Sequence, residues 1–139
     1  MRRAASSPGP PASIAQVHKA RLADTGQLVA VKVLRPGIEK AFRKDVDAFY
    51  FAADFVEFFL PFSRRLKPRD VIEHFDGVVT GELDLRLESA SASEFASNTA
   101  NDEGLQVPAI LWHHSARRVM TMDWAEGVRL GDNDALDAA

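Results

Sequence analysis

The sequence predicts an α+β fold: an antiparallel sheet with helices inserted between its strands. Three observations predict it. A pair of strand-like runs joined by a tight turn stands near the N-terminus, the middle of the chain carries apolar residues at helical spacing, and further strand-like runs follow. At 139 residues the chain has the length of one domain. A chain of that size can bury about 68% of its unfolded surface, enough for a real core.

The elements read in order as follows. Residues Met1 to Pro11 are rich in Ser, Pro, Gly and Ala and read as a disordered or atypical tail. Ser13 to Leu22 reads as a strand that starts in a small-residue loop. Asp24-Thr25-Gly26 is a turn signal, and Leu28 to Leu34 is a β-branched apolar run of strand length. The two make an antiparallel hairpin. Arg35-Pro36-Gly37 ends it, because proline cannot donate to a ladder.

From Ile38 to Phe62 the pattern is helical. Phe55, Phe58, Phe59 and Phe62 share one helical face, and a core-facing helix is the expectation for that stripe, with a docking surface as the alternative. Pro68 suits the first turn of a second helix. Val71, Ile72, Phe75, Val78 and Val79 continue it, with a break expected near Gly81 and a helical restart from Glu82 to Asn98. Val107 to Trp112 and Arg118 to Trp124 read as two more strands, with His113 to Ala116 as their turn. The tail from Gly131 to Ala139 is too polar and small to build a closing element.

Composition excludes several chemistries. There are no cysteines, so disulfides, thiolate metal sites and cysteine nucleophiles are ruled out. A net charge of −3 gives no electrostatic footprint for nucleic acid. Arg2 and Arg3 are followed by no apolar h-region, so the start is not a secretory signal. Ala48 to Phe62 is interrupted by Asp54 and Glu57 and falls short of the about 20 apolar residues that a membrane span needs.

Chemistry concentrates in few places. In Val29-Ala30-Val31-Lys32, alternation puts Ala30 and Lys32 on one face of the strand. A lysine in so apolar a run is partly desolvated unless it meets an anion or snorkels to water from an edge. The preceding stretch, Pro11-Ala12-Ser13-Ile14-Ala15-Gln16-Val17-His18, has small residues that let a backbone approach phosphate oxygens, or is an ordinary strand start. His18 by itself is a strand histidine rather than a catalyst. In Glu82-Leu83-Asp84-Leu85-Arg86-Leu87-Glu88, Asp84 and Glu88 are expected on one helical face. Glu88 reaches Lys32 if that helix packs on the hairpin; otherwise the cluster is a solvated acidic face.

Taken together, these pieces resemble the UbiB, or aarF-domain, atypical kinase-like family. The resemblance rests on Ala12-Ser13-Ile14-Ala15-Gln16-Val17-His18, Val29-Ala30-Val31-Lys32-Val33 and Arg35-Pro36-Gly37-Ile38. It continues through Glu82-Leu83-Asp84, Glu88-Ser89-Ala90 and Val107-Pro108, and ends in Val119-Met120-Thr121-Met122-Asp123-Trp124-Ala125-Glu126-Gly127. It covers nearly everything from Ala12 to Leu130.

The resemblance implies a protein-kinase-like N-terminal lobe over residues 12–124, with the hinge and the start of a large lobe over 125–139. It implies ATP or ADP and Mg²⁺ as cofactors. Lys32 would contact the nucleotide phosphates, with Glu88 as its ion-pair partner. Glu82 and Asp84 would form a family-specific acidic motif near the nucleotide. Ala12, Ser13, Ile14, Ala15, Val17 and Ala30 would line the loop and slot. Met122 would gate the adenine pocket, and the backbone of Asp123, Trp124 and Ala125 would bond the adenine edge.

The implied activity is ATP-dependent support of isoprenoid quinone (ubiquinone) biosynthesis. The implied partners are adenine nucleotide, and membrane lipid or quinone-biosynthesis proteins. The implied location is cytoplasmic, or peripheral to the inner membrane in a full-length protein. Pro10 and Pro11 depart from the family's alanine-rich loop. The family's K-x-G-Q segment, catalytic-loop aspartate and asparagine, D-F-G aspartate and C-terminal membrane helices have no counterpart in these residues. The expectation is therefore a lobe without its large lobe, inactive in phosphoryl transfer by itself. The competing expectation is a non-catalytic nucleotide-, lipid- or partner-binding module.

Overall fold

The computed structural model describes residues 14–127. The N-terminal tail with Ala12 and Ser13, and the segment from Val128 to Ala139, lie outside the described residues.

The first hairpin is formed by β1 (Ala15–Arg21) and β2 (Leu28–Leu34). Its turn closes through Leu22 and Gln27. The Leu22 N–H donates to the Gln27 carbonyl at 2.9 Å, and the Gly26 N–H donates back to Leu22 at 3.0 Å. Gly26 has φ 73, a left-handed conformation that suits a residue without Cβ. The register runs from Ala15 opposite Leu34 to Arg21 opposite Leu28.

After Pro36, Gly37 turns the chain at φ 79 and caps α1 (Ile38–Phe59). A short 3-10 helix (Pro61–Leu66) leads into α2 (Pro68–Glu82). Proline takes the first turn of α2, where its missing N–H costs nothing. The expected break follows: α2 stops at Glu82 and α3 spans Leu85–Asn98. β3 (Val119–Asp123) then pairs antiparallel with β2, completing a three-stranded sheet of order β1-β2-β3. The element order is the α+β layout of a kinase-like small lobe.

Two readings need correction. Val107 to Trp112 is not a regular strand. Only Ile110 bridges Met122, Leu111 donates to Thr121 at 2.8 Å, and a 3-10 turn takes over at Trp112–His114. Pro108 has no N–H to offer, which keeps this run short. The second correction concerns the stripe Phe55, Phe58, Phe59 and Phe62. It does not face the core: Phe58 is 75% and Phe62 71% exposed. The inner face of α1 instead passes through Phe42, Val46 and Ala53.

The core sits between the sheet and the helix junction. Ala15, Leu34, Val79, Leu83, Leu85 and Met120 form one buried cluster, with Ile14, Ile38, Phe42 and Ala92 packed on it. The outer halves of α1 and α2 pack on each other away from this cluster, for example where Phe49 meets Phe75 edge to face at 6.0 Å.

Candidate functional site

The site begins with the pleat. Cross-strand partners share a face, so the register sets Val17, Lys32 and Met120 in one row and Lys19, Ala30 and Met122 in the next. The far end of this face, at Ala15, Leu34 and Met120, is closed by the core. The near end is open: Val17 and Lys19 are exposed, while Ala30 is buried and Met122 half-buried. His18 sits opposite Val31, on the other face from Lys32.

Lys32 meets Glu88. Its Nζ donates to Oε1 at 2.6 Å and to Oε2 at 2.7 Å across 56 residues of sequence. The lysine side chain is 24% exposed.

Three local devices bring Glu88 there. Asp84, in extended conformation, caps α3 by accepting the Arg86 N–H at 3.1 Å. The Leu85 N–H donates to the Arg117 carbonyl at 2.9 Å, tying the start of α3 to the turn before β3. Ser89 is fully buried and returns its hydroxyl to the Leu85 carbonyl at 2.7 Å, so a small side chain lies where α3 joins the core.

The acidic motif divides differently from the sequence expectation. Asp84 precedes the helix as its cap and does not share a helical face with Glu88. Arg86 grips its carboxylate from both sides, Nε to Oδ1 at 2.9 Å and Nη2 to Oδ2 at 2.6 Å. That guanidinium holds the Asp84 carboxyl down at about 2, well below its ordinary range. Glu82 is the exposed last residue of α2 and makes no hydrogen bond or ion pair among the described residues. The structure thus joins Lys32 to Glu88 and leaves Glu82 and Asp84 outside that pair. Among the described residues no three acidic or imidazole side chains gather as a metal centre.

The remaining expected residues fall at the two ends of the sheet face. Ile14 accepts the Arg35 N–H at 2.9 Å and packs on the core, and Ala15 is buried within it. At the exit of β3, the Asp123 N–H donates to Ala109 at 3.0 Å and the Trp124 N–H to Leu28 at 3.3 Å. Ala125 forms no hydrogen bond among the described residues. Sequence reading missed Lys19, Gln27 and Arg86. Lys19 Nζ lies 4.3 Å from the Trp124 ring centroid, and Gln27 Nε2 donates to Asp123 Oδ1 at 2.6 Å. The Lys19 contact was within reach of strand register; the Gln27 contact, 96 residues long, was not.

A family model described as "ABC1 atypical kinase-like domain" matches residues 4–139. The chain is 40% identical over 128 residues to a "Probable protein kinase UbiB" of Marinobacter nauticus, covering 92% of this chain. It is 38% identical over 127 residues to the protein of the same name from Photorhabdus laumondii, and 37% over 126 residues to that from Aliivibrio fischeri, covering 91% of this chain in each case. The chain spans 23% of the length of each of these relatives.

Proposed function

We propose, on the premise that this chain belongs to the ABC1 atypical kinase-like domain family, that it is the nucleotide-binding lobe of a UbiB-like atypical kinase or ATPase supporting ubiquinone biosynthesis. The observation that carries this reading is the Lys32–Glu88 pair, with Nζ between two carboxylate oxygens at 2.6 and 2.7 Å. A half-exposed ion pair contributes about 1 kcal/mol or less to stability. Its stronger effect is positional: Glu88 fixes the ammonium at the edge of an open face, where a phosphate oxygen can share its remaining donor.

The same face fits a nucleotide base. Ala30 is small, Val17 and Met122 are apolar, and the Ala125 N–H makes no hydrogen bond among the described residues. ATP or ADP would lie with its base over Ala30 and its phosphates toward Lys32. Mg²⁺ is bound through few carboxylates and the substrate phosphates. Asp84, already gripped by Arg86, does not fit as a ready ligand, so Mg²⁺ enters this reading with the phosphates. Bound nucleotide supplies the phosphoryl group; the lobe's own residues bind and orient it.

The test is thermal stabilisation of the full-length protein by MgADP. Ligand at one hundred times its Kd adds about 2.7 kcal/mol. Lys32→Ala is expected to abolish that gain; an equal gain in the variant removes the lysine from the site.

The exposed phenylalanines favour a second reading, a non-catalytic module that binds lipid or a partner through α1. Vesicle binding that survives Lys32→Ala and fails on Phe58→Ser would support it.

A further inference from the structure

The end of β3 is fastened to the hairpin on both sides of the sheet. On the face that carries Lys32, Lys19 of β1 reaches across β2 and sets its ammonium 4.3 Å from the centre of the Trp124 ring. Asp123 pairs with Val29 and so points to the opposite face, where its Oδ1 accepts Gln27 Nε2 at 2.6 Å. Between these side chains, the Trp124 N–H is spent on Leu28 and the Asp123 N–H on Ala109. The next backbone donor, at Ala125, is thereby aimed by contacts none of which it makes itself.

We infer that the Lys19–Trp124 stack and the Gln27–Asp123 hydrogen bond form the rim of the base slot and position the backbone that reads the edge of the base. This rests on the nucleotide reading above. Lys19 and Gln27 are positioning residues: neither needs to touch the nucleotide. The chemistry explains why both are required. The β3 exit has left the sheet by Ala125, so side chains replace the ladder in fixing its direction. A cation over an indole face resists rotation of Trp124, and a side-chain hydrogen bond resists translation of Asp123. Adenine offers a donor and an adjacent acceptor on one edge, and its recognition depends on angle as well as distance. Uracil presents a different edge, an N3–H donor flanked by carbonyl acceptors, and gains less from the same alignment.

The experiment measures MgADP and MgUDP affinities of the full-length protein for wild type, Lys19→Met, Lys19→Arg and Gln27→Ala. An exposed cation–π contact or one neutral hydrogen bond corresponds to about three- to tenfold in affinity. Lys19→Met and Gln27→Ala are each expected to weaken MgADP by about that factor and to bring the ADP-to-UDP ratio toward one. Lys19→Arg, which keeps the cation over the ring, is expected to restore the ratio. A merely structural role would lower the melting temperature and leave the ratio unchanged. An unchanged ratio in both variants, or a wild-type ratio of one, overturns the rim while leaving the nucleotide reading intact. A wild type that binds neither nucleotide overturns both.

Discussion

At the scale of single residues, two charged pairs have opposite consequences. Lys32 and Glu88 are close enough for a strong contact, yet both remain in reach of water, with side-chain exposures of 24% and 47%. Lys32→Met is therefore expected to lower the unfolding free energy of the unliganded protein, measured by denaturant titration, by about 1 kcal/mol or less while removing its response to MgADP. A large loss of unliganded stability would assign the pair a structural role.

Asp84 is different, because its carboxylate both caps α3 and holds Arg86. Its folded pKa is lowered to about 2 from an ordinary 3.8. A depressed carboxylate stabilises the fold above the unfolded pKa, and that contribution is lost as pH falls from 3.8 through about 2. Asp84→Asn keeps a good cap and removes the charge. It is expected to flatten the acid limb of the stability–pH curve in that window, measured by denaturant titration. An acid limb identical to wild type would mean that Arg86 holds the carboxylate equally in the unfolded chain.

At the scale of elements, the chain uses its hydrophobic residues unevenly. Leu85, at the start of α3, is 1% exposed and joins the cluster with Leu34 and Met120. Leu85→Ala is expected to cost about 2–5 kcal/mol, through lost transfer and the cavity left behind. Phe58→Ser, at the outer end of α1, is expected to stay within about 0.5 kcal/mol of wild type. Urea midpoints compare the two directly, and a costly Phe58→Ser would place that ring under a cover in the folded protein. The hairpin and the helix restart were legible because both are written locally. Asp24-Thr25-Gly26 and Arg35-Pro36-Gly37 allow few backbone paths, and α2 ends one residue beyond Gly81. The Val107 to Trp112 run misled because its β-branched and aromatic content is strand-like, while Pro108 and the 3-10 turn at Trp112 leave room for a single bridge.

At the scale of the whole molecule, stability is expected to be graded. The sheet, α3 and the last turns of α2 share one core; among the described residues the outer α1–α2 hairpin packs on itself, away from that core. Amide exchange is expected to be slowest at Leu34, Leu85 and Met120 and much faster beyond Ala53 in α1. Uniform protection along α1 would show that its outer half unfolds only with the core. No helix among the described residues is long and apolar enough to cross a membrane.

The sequence by itself determined the strands β1 to β3 and the helix order, and it named Lys32 and Glu88 as a pair that meets if α3 packs on the hairpin. Alternation, turn chemistry and helical spacing are properties of neighbouring residues, and the resemblance of the motifs supplied the pairing. Only the tertiary structure decided which aromatic face of α1 is buried, that Asp84 caps a helix instead of facing the site with Glu88, and that Lys19 and Gln27 fasten the β3 exit. A periodic stripe specifies that residues share a side, but what covers that side depends on elements far away in the chain. The same holds for a carboxylate: its partner is chosen by where the backbone bends, and at Leu83 and Asp84 that bend is set by the packing of α3 against the core.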